Sequence, residues 1–257
     1  MLKADKFFLM KRLVSEVKFF NLFLYICSMD KLLKIGHRGA KGYLAENTLA
    51  SIQKALEFGV GAVEIDVHRC KSGEMVVFHD FTVDSTTNGS GEIAKKTLAE
   101  LKALKVKDHY EIPLLTEVLD LITGKCGINI ELKGLNTAMG TAEIIKLYVD
   151  EKSWKYEEFI VSSFQKNELF QMRKLEAQVP LGILSKASVS EAIELGKLLN
   201  ASAIHPSLGI ITRDNVKNAQ AAGFKVNVWT ANEPEDIKRM RDFGVDGIIS
   251  DFPDRLF

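Results

Sequence analysis

The sequence has no excess of either charge: 34 Lys and Arg residues balance 34 Asp and Glu residues. Nucleic-acid binders ordinarily show a basic excess on one face, so that class loses its main support. A zero total still leaves room for a local cationic pocket. Only three cysteines occur, Cys27, Cys70 and Cys126. The number is odd and no CxxC pair is present, which argues against a disulfide framework and a Cys-rich zinc site and fits reduced thiols. There is no HExxH, and no GxGxxG follows the first apolar run, so zinc-peptidase and dinucleotide-binding readings lack their signatures. Low-complexity segments and internal repeats are also missing. No apolar run reaches the about 20 residues that a membrane-spanning helix needs; Lys18–Ser28 (KFFNLFLYICS) is too short.

Residues 1–28 are expected to form an N-terminal extension separate from the domain at 31–257. Three readings compete for it: a dispensable extension with the real start at Met29, an export or membrane-anchoring segment, and a packed N-terminal helix. Glu16 and Lys18 beside the apolar run, and the lack of a clean small-x-small site after it, count against export. The expected location is cytoplasmic. Export, or membrane contact through residues 1–28 alone, is the alternative.

What is present begins at Lys31. Short apolar runs alternate with amphipathic helical stretches, the pattern of βα units feeding a parallel sheet. The strand-like runs are Leu32–His37, Ala62–Val67, Gly127–Lys133, Glu158–Phe164, Val179–Leu184, Ala201–Pro206, Phe224–Thr230 and Val245–Asp251. Met75–Asp80 reads as a short partner of the second run after the KSGE turn. The first helix is expected over Asn47–Gly59, with Leu49, Ile52, Ala55 and Leu56 on one face. The interval from Phe81 to Ile112 is too long for an ordinary βα loop and reads as a small insertion after the second strand with one short helix, Thr97–Lys105. Leu115–Thr123 reads as the second barrel helix. Eight units in this length predict a (β/α)8 TIM barrel; an open doubly wound sheet is the runner-up.

In such a barrel the active site lies at the C-terminal ends of the strands. His37 and Arg38 end the first strand. Glu64 and Asp66 end the second and Glu131 and Lys133 the third, each pair spaced i, i+2 and so on one face. Buried carboxylates on one face repel and resist desolvation unless a cation lies among them. Three oxygen-donor residues, Glu64, Asp66 and Glu131, favour a hard divalent ion, Ca²⁺ or Mg²⁺. His37 and His79 beside that cluster fit a general acid and a general base. Arg38 and Lys133 are placed to hold an anion, and the set as a whole describes phosphoryl chemistry. Phe164 and Trp229, at strand ends, serve either the core or a substrate wall. His68 is expected to face away from Asp66 or lie in the turn, His109 to sit in the insertion, and His205 is a weaker candidate for the mouth.

Taken together, HRG, ENTL, VEIDV, VVFHD, TTNGSG, IELK, VWTAN and GVDGIISDFP resemble the glycerophosphodiester phosphodiesterase family over about Lys31 to Pro253. The resemblance implies the same barrel with an insertion after the second strand. It implies hydrolysis of glycerophosphodiesters, such as glycerophosphocholine or glycerophosphoethanolamine, to glycerol 3-phosphate and an alcohol, with Ca²⁺ or Mg²⁺. By motif, His37 and His79 resemble the acid/base pair, Glu64, Asp66 and Glu131 the metal ligands, and Arg38 and Lys133 the phosphate clamp. Glu46 is expected to support the site from the loop after the first strand, with helix capping as its alternative role. The expected partner is a small-molecule diester, not nucleic acid. Lysophospholipid or phosphoinositide cleavage and a catalytically silent phosphate-binding barrel are the rival readings. Ala45 and Ser85 stand where the family often has Pro and Arg, and His68–Cys70 replaces a more usual polar segment. None of the proposed reactive groups is missing.

Overall fold

The computed structural model describes residues 32–107 and 109–257. The three readings of residues 1–28 lie outside the described residues. Eight parallel strands close into a ring: β1 (Leu33–His37), β2 (Ala62–Arg69), β4 (Gly127–Leu132), β5 (Phe159–Ser163), β6 (Leu181–Ser185), β7 (Ala203–Pro206), β8 (Lys225–Val228) and β9 (Gly247–Ser250). Closure comes from β1 pairing with both β2 and β9. This is the (β/α)8 barrel that the alternation predicts, and the open sheet is excluded by that closure.

Helices α1 (Leu49–Glu57), α3 (Leu115–Ile122), α4 (Ala138–Glu151), α5 (Lys166–Leu175), α6 (Val189–Leu199), α7 (Arg213–Ala221) and α8 (Pro234–Phe243) connect successive barrel strands. Their ends follow local chemistry. The Thr48, Ser188 and Thr212 hydroxyls accept backbone N–H groups at the starts of α1, α6 and α7, the usual N-cap arrangement. Helix α8 ends at Gly244 in the left-handed conformation, as glycine permits. Helix α1 is shorter than the expected Asn47–Gly59, because Asn47 is itself left-handed and Thr48 is the cap. None of the helices among the described residues is long and apolar enough to cross a membrane.

Strand β2 runs two residues further than its apolar pattern suggests. Val67, His68 and Arg69 pair antiparallel with β3 (Met75–Val77). After β3 the chain forms a 3₁₀ turn at Ile93–Lys95 and the short helix α2 (Leu98–Lys102), then returns to α3. This excursion has its own apolar centre, in which Val76, Phe78, Val83, Ile93, Leu101, Val106 and Ile112 are buried together. Each such side chain contributes about 1.5–3 kcal/mol through burial, so the excursion is held as a rigid shelf over the end of β2.

Strand alternation decides what enters the barrel. Val63, Ile65 and Val67 are fully buried, yet so are Glu64 and Asp66 on the opposite face of β2. Backbone pairing places His37 opposite Glu64, Asp66 opposite Glu131, and Glu131 opposite Ser162. Two successive rows of inward positions therefore carry the ionisable groups, His37 with Glu64 and Asp66 with Glu131. His205, fully buried, lies in the barrel core and is absent from the mouth lining, which corrects its reading as a candidate for the mouth. Gly182 leaves the space it occupies, since a Cβ there would lie 2.8 Å from its ring.

Candidate active site

The chain turns sharply after β1. Arg38 has φ 51° and Gly39 φ 84°. A left-handed arginine is strained, and strain of this kind persists where surrounding contacts over-determine it. Here the Arg38 N–H donates to Glu64 Oε2 at 2.9 Å, and its carbonyl accepts from the Ser51 hydroxyl at 2.9 Å. A side chain at position 39 would place its Cβ 2.5 Å from the Ser51 backbone carbon. The turn thus presses β1 against α1 and aims Arg38 across the mouth. Its Nη1 donates to Glu46 Oε1 at 2.7 Å, and its Nε lies 3.3 Å from Asp66 Oδ2. Glu46 also pairs with Lys41 at 3.2 Å. Glu46 does not cap the helix; Thr48 does, and Glu46 supports Arg38 from the loop.

Asn47, next in that motif, escaped the sequence analysis as a site residue. Its amide donates to Asp66 Oδ2 at 2.9 Å and its carbonyl accepts from the Asp66 N–H at 3.3 Å. Asp66 is thereby fixed from two sides. Its other oxygen, Oδ1, is buried without a hydrogen-bond partner among the described residues.

Glu64, Asp66 and Glu131 are all buried, and each offers an oxygen within 4.8 Å of the others. Burial, with Asp66 and Glu131 close by, pushes the Glu64 carboxyl well above its ordinary value. Burial and the Asp66 charge push Glu131 up to about 7. Burial also pushes Asp66 upward, but Arg38, His79 and Lys133 outweigh it and hold that carboxyl below its ordinary value. Lys133 Nζ lies 3.1 Å from Glu131 and 3.8 Å from Asp66. Three buried carboxylates with an orphan oxygen, which repel one another when ionised, fit a hard divalent cation in both donor type and charge.

The two histidines have parallel settings. His37 Nδ1 donates to Asp251 Oδ1 at 2.5 Å. The other Asp251 oxygen accepts from the Asn232 amide at 2.8 Å. Burial pushes Asp251 upward, but those hydrogen bonds prevail and hold it at about 2. It is therefore an anion, Nδ1 carries the proton, and Nε2 is left with its lone pair, 3.9 Å from Glu64 Oε2. Burial lowers the His37 pKa, only partly offset by Asp251. Beyond β3, His79 Nδ1 donates to Asp80 Oδ1 at 2.7 Å, and Asp80 Oδ2 accepts the Ser85 hydroxyl at 2.5 Å. His68 lies in β2 rather than the turn and, two residues beyond Asp66, shares its strand face, which corrects both expectations. Its Nε2 lies 3.1 Å from the His79 carbonyl and its ring packs edge-on against Phe81, so it props the loop that carries His79. His109 lies in the excursion, beside Tyr110.

A cleft of about 460 Å³ gathers most of these groups. His37, Arg38, Glu64, His79, Glu131, Lys133, Phe164 and Trp229 all line it, as do Lys41, Lys186 and Asp251. Phe164 and Trp229 form a T-shaped pair with ring centres 5.6 Å apart, and the Trp229 indole N–H donates to the His205 carbonyl at 2.8 Å. Asp66 lies behind the lining, reached through Arg38 and Asn47. Asp251, Asn232, Asp80 and Lys186 were also missed. Asp251 carried a signal as a carboxylate at the end of the last strand, and Asp80 and Asn232 stand inside the VVFHD and VWTAN motifs; Lys186 carried none.

A closed parallel barrel with a three-carboxylate cluster and two Asp-held histidines at its C-terminal mouth defines a phosphoryl-transfer type of site. The sequence profile of the glycerophosphoryl diester phosphodiesterase family matches residues 37–255, and the chain belongs to that family. It is 36% identical over 236 residues to a glycerophosphodiester phosphodiesterase of Caldanaerobacter subterraneus, covering 88% of this chain and 96% of that one. A Bacillus subtilis glycerophosphodiester phosphodiesterase is 29% identical, with 89% and 86% covered. Among solved structures, an Oleispira antarctica phosphodiesterase in complex with the product sn-glycerol-3-phosphate superimposes with a TM-score of 0.80 at 31% identity, covering 86% of this chain and 94% of that one.

Proposed function

We propose that this protein hydrolyses glycerophosphodiesters to glycerol 3-phosphate and an alcohol, with His37 and His79 as the acid/base pair. The observation that carries this reading is the pair of histidines, each tied through Nδ1 to its own aspartate, in one cleft with a buried three-carboxylate cluster. Family membership and the glycerol 3-phosphate complex of the Oleispira relative support the same substrate class.

In this reading Glu64, Asp66 and Glu131 hold a divalent cation, Ca²⁺ or Mg²⁺, which supplies Lewis-acid stabilisation of phosphate charge when bound. Arg38 and Lys133 present donors to the phosphate oxygens, Arg38 as a planar fork and Lys133 as a point charge. One histidine takes at Nε2 the proton of the nucleophile, either water or the glycerol 2-hydroxyl, as its oxygen bonds to phosphorus; on the second route the cyclic phosphate is then opened by water. The phosphorus–oxygen bond to the alcohol breaks, and the other histidine gives its Nε2 proton to the leaving oxygen. Donors already fixed in place, such as Arg38 clamped by Glu46, need no reorganisation as charge develops. Cys70 and Cys126 are free thiols, which is in keeping with a reducing, cytoplasmic setting.

The test is release of glycerol 3-phosphate from glycerophosphocholine and glycerophosphoinositol, with Ca²⁺, Mg²⁺ or chelator, beside His37→Ala. Metal-dependent release that collapses in the variant is the expected result. If folded, metal-loaded protein released nothing from either diester, the reading would be abandoned.

A further inference from the structure

The groups assigned to chemistry come from neighbouring strands: Asp251 follows β9, His37 and Arg38 stand at the end of β1, Glu64 and Asp66 lie on β2, and Glu131 and Lys133 lie in or just beyond β4. The opposite arc is different. Phe164 follows β5, Lys186 follows β6 and Trp229 follows β8. If the phosphate and glycerol hydroxyls sit among the polar groups of the first arc, as the diesterase reading has it, the second arc is left for the variable alcohol.

Four cations line the cleft, and three are already paired. Arg38 meets Glu46 and Asp66, Lys41 meets Glu46, and Lys133 meets Glu131 and Asp66. Lys186 is exposed and has no carboxylate partner among the described residues. Its ammonium instead stands over the face of the Phe164 ring, 5.7 Å from the centre. An aromatic face at the mouth is the natural place for a quaternary ammonium head group, and here the chain's own lysine occupies it. Phe164, Leu184 and Lys186 also line a neighbouring pocket of about 170 Å³. Lys166 and Lys186 line that pocket against a single acid, Glu191, while Ser185 and Ser188 supply hydroxyls.

We propose that Lys186 selects the head group by charge, disfavouring choline and ethanolamine diesters and favouring neutral polyol or anionic alcohols. The proposal rests on the diesterase reading above. Two effects act in one direction. The unpaired ammonium repels a cationic alcohol, and it denies that alcohol the Phe164 face. Because the group is exposed, solvent screens it, and a unit charge about 6 Å away in such a setting changes a rate by about fivefold.

The experiment compares kcat/KM for glycerophosphocholine and glycerophosphoinositol, which share the glycerol phosphate half. Wild-type protein should prefer the inositol diester. Lys186→Met should raise the choline-to-inositol ratio by about fivefold, and Lys186→Arg, which keeps the charge, should leave the ratio within about twofold. The effect should shrink as salt is raised. An unchanged ratio in Lys186→Met, or one common factor on both substrates, overturns the head-group role while leaving the diesterase reading intact. Hydrolysis of neither diester by the wild type overturns both.

Discussion

His37 and Asp251 stand 214 positions apart and meet at 2.5 Å, because β1 and β9 pair to close the barrel. That contact sets which imidazole nitrogen faces the cleft. Asp251→Asn leaves the shape but replaces the anion that holds Nδ1 protonated, so the ring loses its preferred tautomer. We expect kcat to fall by about 10²–10⁴-fold, the usual contribution of a positioned acid or base, with KM changed far less. Steady-state kinetics of Asp251→Asn on glycerophosphoinositol checks this; an equal loss carried in KM would contradict it.

Ser85 extends the second dyad. Its hydroxyl donates to Asp80, which in turn holds His79. Ser85→Ala removes one hydrogen bond at an exposed position. A loss of about threefold to tenfold in kcat is expected, the size of one net hydrogen bond. Asp80→Asn should cost more than Ser85→Ala, and the reverse order would break the proposed chain from Ser85 to His79.

The carboxylate cluster makes cation binding pH-dependent. Glu131 is pushed to about 7 and Glu64 also lies above its ordinary value, so protons and cation compete for the same oxygens. Calorimetry in buffers of different ionisation enthalpy should show proton release on binding, and tighter binding at pH 8 than at pH 6. The same shift has a sign for stability. A carboxyl raised from 4.5 to about 7 binds its proton more tightly in the folded protein, so its contribution is present below pH 4.5 and is lost as pH rises through about 7. The melting temperature of chelated wild type relative to chelated Glu131→Gln should therefore be lower at pH 8 than at pH 5, and Ca²⁺ or Mg²⁺ should raise the wild type at pH 8. Glu131→Gln should flatten the profile of the chelated protein.

His205 gives the opposite sign. Burial lowers it from 6.5 to about 4, and its Nδ1 has no hydrogen-bond partner among the described residues. The unfolded chain takes up a proton below pH 6.5 that the folded core refuses, so stability falls as pH drops from 6.5 to about 4. The full effect is about 3 kcal/mol at 1.36 kcal/mol per unit. Urea denaturation with the cation present should show His205→Gln losing less stability than wild type over that range, even if it is less stable at pH 7.5.

Local spacing by itself determined a great deal. Alternation along β2 and β4 is enough to place Glu64 with Asp66, and Glu131 with Lys133, because strand geometry repeats every two residues. The regular exchange of apolar runs and amphipathic stretches identified the barrel, and HRG and ENT marked the loop that surrounds Arg38. What only the tertiary structure decided are the partners drawn from distant strands. Asp251 meets His37 through ring closure, and Asn232 fixes Asp251 from the loop before α8. Asn47 reaches Asp66 because left-handed residues at 38, 39 and 47 shape the loop between β1 and α1. The strand pattern placed His205 near an end, yet Gly182 opens a space that draws its ring into the core. A single chain read in order carries the period of each element; which elements share an edge depends on how the ring closes, and closure is a property of all eight strands at once.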